Sequence, residues 1–439
     1  MPHPEPPEAP GQPGTTDSGR RGFGWRRAVV LLWTGHVVSH FGDSLYLVGI
    51  FFLALEVTGS KSLSGLLIAL HHLPALALGG FAGVYVDRHD RRRVMLAAEL
   101  IRLSAAASIP ALYLTGQLSP WALATAMFAL ATGSTLFNPA MKAITPELVP
   151  GRHLAAVATG FQLSEFAAMV LGPALAATII VPELGSIHLF SLNAATFLVS
   201  GLCVLALAPI ARRTAHGSFY PGPPGGRTAG QSSRSTPATT VWQEAWRGVG
   251  VVLEIPLLRA LLIFVALDNL LLTGLAQVAT PLLVKEGLGL GTEAFAGVQT
   301  FFFLGLLAAS AGFWLLGRRL RQANAILVGI VLDGLTFVPL AFCRTLGQVQ
   351  LAMFLHALAL PLIIIPRTVL VQQLVPGPLH GRAFALLNVT IFGMTAVSAG
   401  VTGWLAERVS PGTLFVVLGS LGTAVGLLGF RNRTLRGAR

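Results

Sequence analysis

Twelve apolar stretches, at roughly 28–57, 62–86, 94–115, 119–140, 154–181, 188–209, 257–284, 295–316, 323–343, 348–366, 382–406 and 412–430, decide what this chain can become. A spanning helix takes about 20 predominantly apolar residues, and each stretch approaches or exceeds that length. With 53% of 439 residues hydrophobic, 11% charged and a mean hydropathy of +0.70, the bulk of the chain is suited to lipid. The expectation is an all-α polytopic membrane protein with twelve transmembrane helices.

A net charge of +12 suggests nucleic acid in a water-soluble protein, but placement matters more than the sum here. If the N-terminus is cytoplasmic, then of 30 Lys and Arg only Lys61, Lys285, Arg344 and Arg408 fall in outer loops, and Arg102 falls within a span. The inside rule then puts both termini in the cytoplasm and requires an even number of spans. The basic excess is a topology signal, reinforced by anionic lipid heads, and nucleic acid is not expected as a partner. Residues 1–24 are rich in Pro, Gly and Ser without an apolar core, so span 1 itself is expected to direct insertion, and no cleavable signal is expected. Cys203 and Cys343 fall near opposite membrane faces and are expected not to pair.

Residues 212–240 shift to Gly, Pro, Ser, Thr and Arg, a composition that cannot bury a core and reads as a flexible linker. It separates a six-helix unit at 25–211 from a second unit at 241–431, with tails at 1–24 and 432–439. Trp242, Trp246 and Val249 read either as a short interfacial helix or as an extension of span 7. Leu148-Val149-Pro150-Gly151 recurs as Leu374-Val375-Pro376-Gly377, in each case between the fourth and fifth span of its half. The two halves therefore read as parallel repeats of six helices.

The turn Gly83-x-x-x-Asp87-Arg88-x-x-Arg91-Arg92 resembles the loop 2–3 signature of the major facilitator superfamily, with Asp90 where many members have Gly. Ser39-His40-Phe41-Gly42-Asp43, Thr58-Gly59-Ser60, Asn138-Pro139-Ala140, Pro146 through Pro150, and Gly381-Arg382 resemble the same superfamily's drug-antiporter branch, which includes the enterobactin exporter and macrolide efflux proteins. Leu171 through Ala177 is similar to a degraded antiporter motif. The Arg of span 4 in many proton-coupled members is absent from 119–140.

The resemblance implies a major facilitator fold and a latch. Asp87 would meet the N-terminus of span 11 near Arg382, where free backbone N–H groups favour a carboxylate, and so hold the halves together on the inner face. Gly83, Arg88, Arg91 and Arg92 belong to this latch, and Arg92 and Arg93 are also explained by orientation alone.

Ionisable groups at membrane depth cost roughly 2.5–3.5 kcal/mol each on insertion scales, so each needs a reason. Asp43, Glu165, Asp268 and Asp333 all count to mid-depth at about 1.5 Å per residue. In the resembled architecture spans 1, 4, 7 and 10 line the cavity and span 9 lies outside, which promotes Asp43 and Asp268 and demotes Asp333. His36, His40 and Asp43 share a face of span 1, with His71 and His72 at similar depth on span 2, and these five are expected to form one polar cluster. Proton or substrate coupling, interhelical hydrogen bonding and metal ligation compete for that set, and no metal site is assigned. Glu99 and Arg102, one turn apart, read as a self-neutralising structural pair beside the loop.

The reading is a secondary transporter, not an enzyme and without cofactor. It is expected to export a moderately hydrophobic small molecule such as a drug or siderophore across the plasma membrane by alternating access, through proton antiport, as a monomer in contact with lipid. A lipid or lysolipid flippase, a metal exporter and a transport-dead receptor or scaffold are the rivals. No phosphate-binding Gly loop or nucleophile motif supports an enzyme.

Overall fold

The computed structural model describes residues 17–207, 250, 254–316, 321–376 and 379–432, with backbone alone at 17–24 and 313–316. Among them are twelve helices long and apolar enough to cross a membrane. These are α1 Trp25–Thr58, α2 Lys61–Arg88, α3 Arg91–Leu114, α4 Pro120–Leu148, α5 Gly151–Leu184, α6 His188–Ala206, α7 Pro256–Gly287, α8 Thr292–Gly312, α9 Gln322–Phe342, α10 Leu346–Leu374, α11 His380–Ala406 and α12 Pro411–Gly429. Helical backbone begins at Asp17, ahead of the expected boundary at 25. The linker at 212–240, the segment around Trp242 and the tail from 433 lie outside the described residues.

The largest departures from the expected spans are at the ends of α4 and α10. Helix α4 runs through Pro139 and Pro146 to Leu148, and α10 through Pro366 to Leu374. A proline forfeits one backbone hydrogen bond, and in these apolar stretches it does not end the helix. Lys142 and Arg367, expected at loop depth, are therefore carried on helices. Elsewhere proline does change the local winding. Wide π-helical turns at Ala176–Ile180 and Leu275–Ala279 each precede a proline by two residues, Pro182 and Pro281, and Pro339 sits in a 3₁₀ turn.

An even number of crossings puts both ends of the described chain on one side, here called the terminal face; the opposite side is the distal face. One hydrophobic core on the distal side is shared by both halves, joining Phe51, Phe52 and Met127 to Leu282, Phe295 and Phe415. On the terminal side each half has its own core. Leu32, Met95, Phe137 and Val204 form one, and Leu262, Ile330, Leu370 and Leu387 the other. The halves are thus joined distally and separated terminally.

Helices α2 and α11, one from each half, show the same splay along their length. At Gly65 an added Cβ would lie 2.6 Å from the Ala399 carbonyl, and at Gly403 it would lie 2.7 Å from that of Lys61. Midway, a Cβ on Gly393 would be 3.6 Å from Leu76, and at Gly79, Gly80 and Gly83 it would meet nothing within 4 Å. Large apolar side chains such as Trp121, Leu100 and Phe342 point outward from the bundle, a surface that costs nothing against lipid and would drive aggregation in water.

Candidate functional site

The charged turn between α2 and α3 is built mostly from contacts within the first half. The Asp90 carboxylate accepts from the Arg93 N–H at 2.9 Å, capping α3. Arg91 pairs with Glu147 at the end of α4 and donates to the Ala143 carbonyl at 2.9 Å. Arg92 donates to the Val204 and Leu205 carbonyls at the C-terminal end of α6, where the helix dipole favours a cation. Asp87 and Arg88 are exposed, and no ion pair reaches either among the described residues. Gly83 faces open space.

Deeper in the first half, Arg102 is 2% exposed and is the hub of a charge network. It reaches Asp43 on α1 at 3.3 Å and Glu99 at 3.5 Å, and donates to the Ser39 hydroxyl. Ser200 on α6 donates to Glu99, and the guanidinium lies 4.1 Å from the ring centroid of Phe197. The expected Glu99–Arg102 pair forms, but it ties α1, α3 and α6 together in the bundle interior and does not brace a loop. Spacing alone shows the pair; it does not show which faces of α1 and α6 turn toward it.

The four histidines expected to cluster with Asp43 divide into separate groups. His36 and His40 turn toward Glu165 on α5, with ring centroids 4.3 Å apart and the three side chains' ligand atoms within 4.8 Å of one another. His71 and His72 belong to a cavity of about 250 Å³ between the halves. There the Tyr46 hydroxyl lies 3.4 Å from His71 Nδ1, and His72 Nε2 lies 3.3 Å from Gln277 Oε1 in the second half. Phe51, Phe295 and Phe302 join aliphatic residues such as Ile68 and Met127 in the apolar wall, and Gln299 adds an amide.

In the second half, Asp268 on α7 and Asp333 on α9 lie near enough for their carboxyls to interact, each 5% exposed. His356 Nδ1 on α10 stands 3.3 Å from Asp333, and Thr336 bridges to the same ring at 3.0 Å. The Arg367 guanidinium on α10 is the nearby cation acting on Asp268. Asp333 is expected outside the cavity lining, and neither it nor Asp268 is among the residues that line the cavity; it neighbours Asp268 in the interior of the second half. The sequence signal was its mid-depth charge, which requires a partner whichever helix bears it.

On the distal face two polar contacts cross between the halves. Lys61 and Glu286 pair at 2.7 Å. Glu407 accepts from the Ser62 N–H at 3.0 Å and the Ser60 hydroxyl at 2.8 Å, which hold its carboxyl below the ordinary range.

The sequence pattern of the Major Facilitator Superfamily matches residues 32–399. Over 153 residues the chain is 31% identical to macrolide efflux protein A of Streptococcus pyogenes, which is 35% of this chain and 38% of that one. It is 25% identical over 414 residues to the uncharacterized MFS-type transporter YfiS of Bacillus subtilis, covering 92% of each. A mutant of the nucleoside transporter NupG superposes with a TM-score of 0.72 at 13% identity, over 91% of this chain and 99% of that one. A POT family transporter superposes with a TM-score of 0.69 at 14% identity, over 92% and 96%.

Proposed function

The chain belongs to the major facilitator superfamily, and on that premise we propose that it exports a moderately hydrophobic small molecule across the plasma membrane in exchange for protons. The terminal face is cytoplasmic in this reading, as the clustering of Lys and Arg on that side supports. The structure then corresponds to an inward-open state with the outer gate shut, and the cavity lined by Tyr46, His71, His72, Gln277 and Gln299 is where substrate sits. Its aromatic wall and few polar groups suit a mostly apolar cargo oriented by hydrogen bonds.

The observation that carries the proton half of the reading is the nearness of Asp268 and Asp333. Two neighbouring carboxylates away from water repel one another, so in this reading the pair is where the exchanged proton is carried. Loading and release follow if the approach of Arg367 and His356 to the pair differs between states. Asp43, whose side chain is 31% exposed and which shares Arg102 with Glu99, is the corresponding carboxylate of the first half.

The test is transport by purified protein in vesicles under an imposed proton gradient, with a fluorescent macrolide as first probe because the partial relative from Streptococcus pyogenes bears that name. Asp268→Asn and Asp333→Asn are expected to lose gradient-driven transport while keeping substrate counterflow. Wild-type transport indifferent to collapse of the gradient would remove proton exchange from the reading.

A further inference from the structure

Between α1 and α5, His36, His40 and Glu165 converge without any role in the networks of Arg102 and Asp268. The two histidines are four residues apart on α1 and so present their rings on one face. Glu165 approaches from α5, which packs directly on α1, and the two helices are pinned beside the cluster by a 2.6 Å hydrogen bond from Trp33 Nε1 to Ser164 Oγ. Phe161 closes one side, its ring 5.2 Å from that of His36.

We propose that His36, His40 and Glu165 form a binding site for a divalent transition-metal ion of the zinc, cobalt or nickel class. Their ligand atoms all lie within 4.8 Å of one another, and the ligands of a tetrahedral ion at 2.0–2.2 Å are about 3.3 Å apart, so small rotamer changes close the site. Two imidazoles and one carboxylate select borderline metals over magnesium or calcium, which take oxygen. His36 Nε2 is buried without a hydrogen-bond partner, an atom that the protein leaves unsatisfied and a metal would satisfy.

The surroundings supply the supporting shell and set the strength. Gln162 donates to Glu165 Oε2 at 3.3 Å, orienting the carboxylate and leaving its other oxygen available. All three ligands are partly exposed, so water can complete the coordination and the ion can enter and leave. Lys142 on α4 and Arg102 on α3 are the positive groups acting on the site, and their field opposes a cation. A site of this kind binds reversibly; it does not hold a permanent structural ion.

This inference rests on the geometry of α1 and α5 and is independent of the proton pair in the second half. The experiment is titration of purified, tag-free protein in detergent with Co²⁺, following the visible absorption of the bound ion, then competition with Zn²⁺ and with Mg²⁺. One Co²⁺ per chain is expected, displaced by Zn²⁺ and not by Mg²⁺. His36→Ala and His40→Ala should abolish the band, and Gln162→Ala should weaken binding about 10–100-fold as a supporting contact. Glu165→Gln, checked by size-exclusion profile, keeps the test meaningful if a histidine variant misfolds; it too should lose the ion. His89→Ala serves as a surface control and should bind normally. No saturable Co²⁺ binding, or equal binding by wild type and Glu165→Gln, overturns the assignment.

Discussion

At the scale of single residues, the cost of burying charge explains most of what the interior does. Arg102 is shared by two carboxylates and two aromatic faces, so it neutralises and packs at once. Arg102→Leu leaves Glu99 and Asp43 without their cation, and removing one partner of a buried pair costs about 3–5 kcal/mol. A correspondingly lower unfolding temperature in detergent is the expected result, and an unchanged one would show that the network is not structural. The spacing of Glu99 and Arg102 was legible in the sequence because i and i+3 always meet on a helix. Asp43 joining them was not, since that depends on how α1 and α3 rotate against each other.

At the scale of elements, α2 and α11 behave as a pair of crossed levers. Their distal crossing brings backbone against backbone at Gly65 and Gly403, where any side chain would collide with a carbonyl. Gly403→Val should force the distal ends apart, seen as faster thiol labelling of a Phe52→Cys reporter in the shared distal core. Gly83→Val should leave that labelling unchanged, because its Cβ meets open space in this state. If Gly83 is a close-approach position when the terminal face shuts, the same variant should instead slow substrate turnover. The helices themselves were readable from apolar length. The ends of α4 and α10 were underestimated because proline and charge look like a stop in sequence, while apolar surroundings hold the helix together beyond them.

At the scale of the whole molecule, the polar contacts that join the halves on the distal face are individually weak. Distally, Lys61–Glu286 and the Glu407 contacts are exposed, and such surface contacts contribute about 0–1 kcal/mol each. On the terminal face, Asp87 waits uncommitted for the N-terminus of α11 if it serves as the latch. The hydrogen bonds to Glu407 depress its pKa in the distally closed form, so its contribution to closure is complete above the ordinary value of about 4.3 and is lost as pH falls through the depressed one. Acidifying the distal side below the ordinary carboxylate range should therefore raise labelling of the Phe52→Cys reporter relative to an exposed-cysteine control, and Glu407→Gln should remove much of that pH response. By itself the sequence determined the number of apolar helices long enough to cross and that charges at mid-span need partners, because hydrophobic length and the cost of ions in lipid act locally along the chain. Only the tertiary structure decided that Asp333 meets Asp268, that Asp43 meets Arg102 and that His36 and His40 meet Glu165. Those pairings depend on the rotation of each helix about its own axis, which packing against neighbours sets and no spacing within one helix encodes.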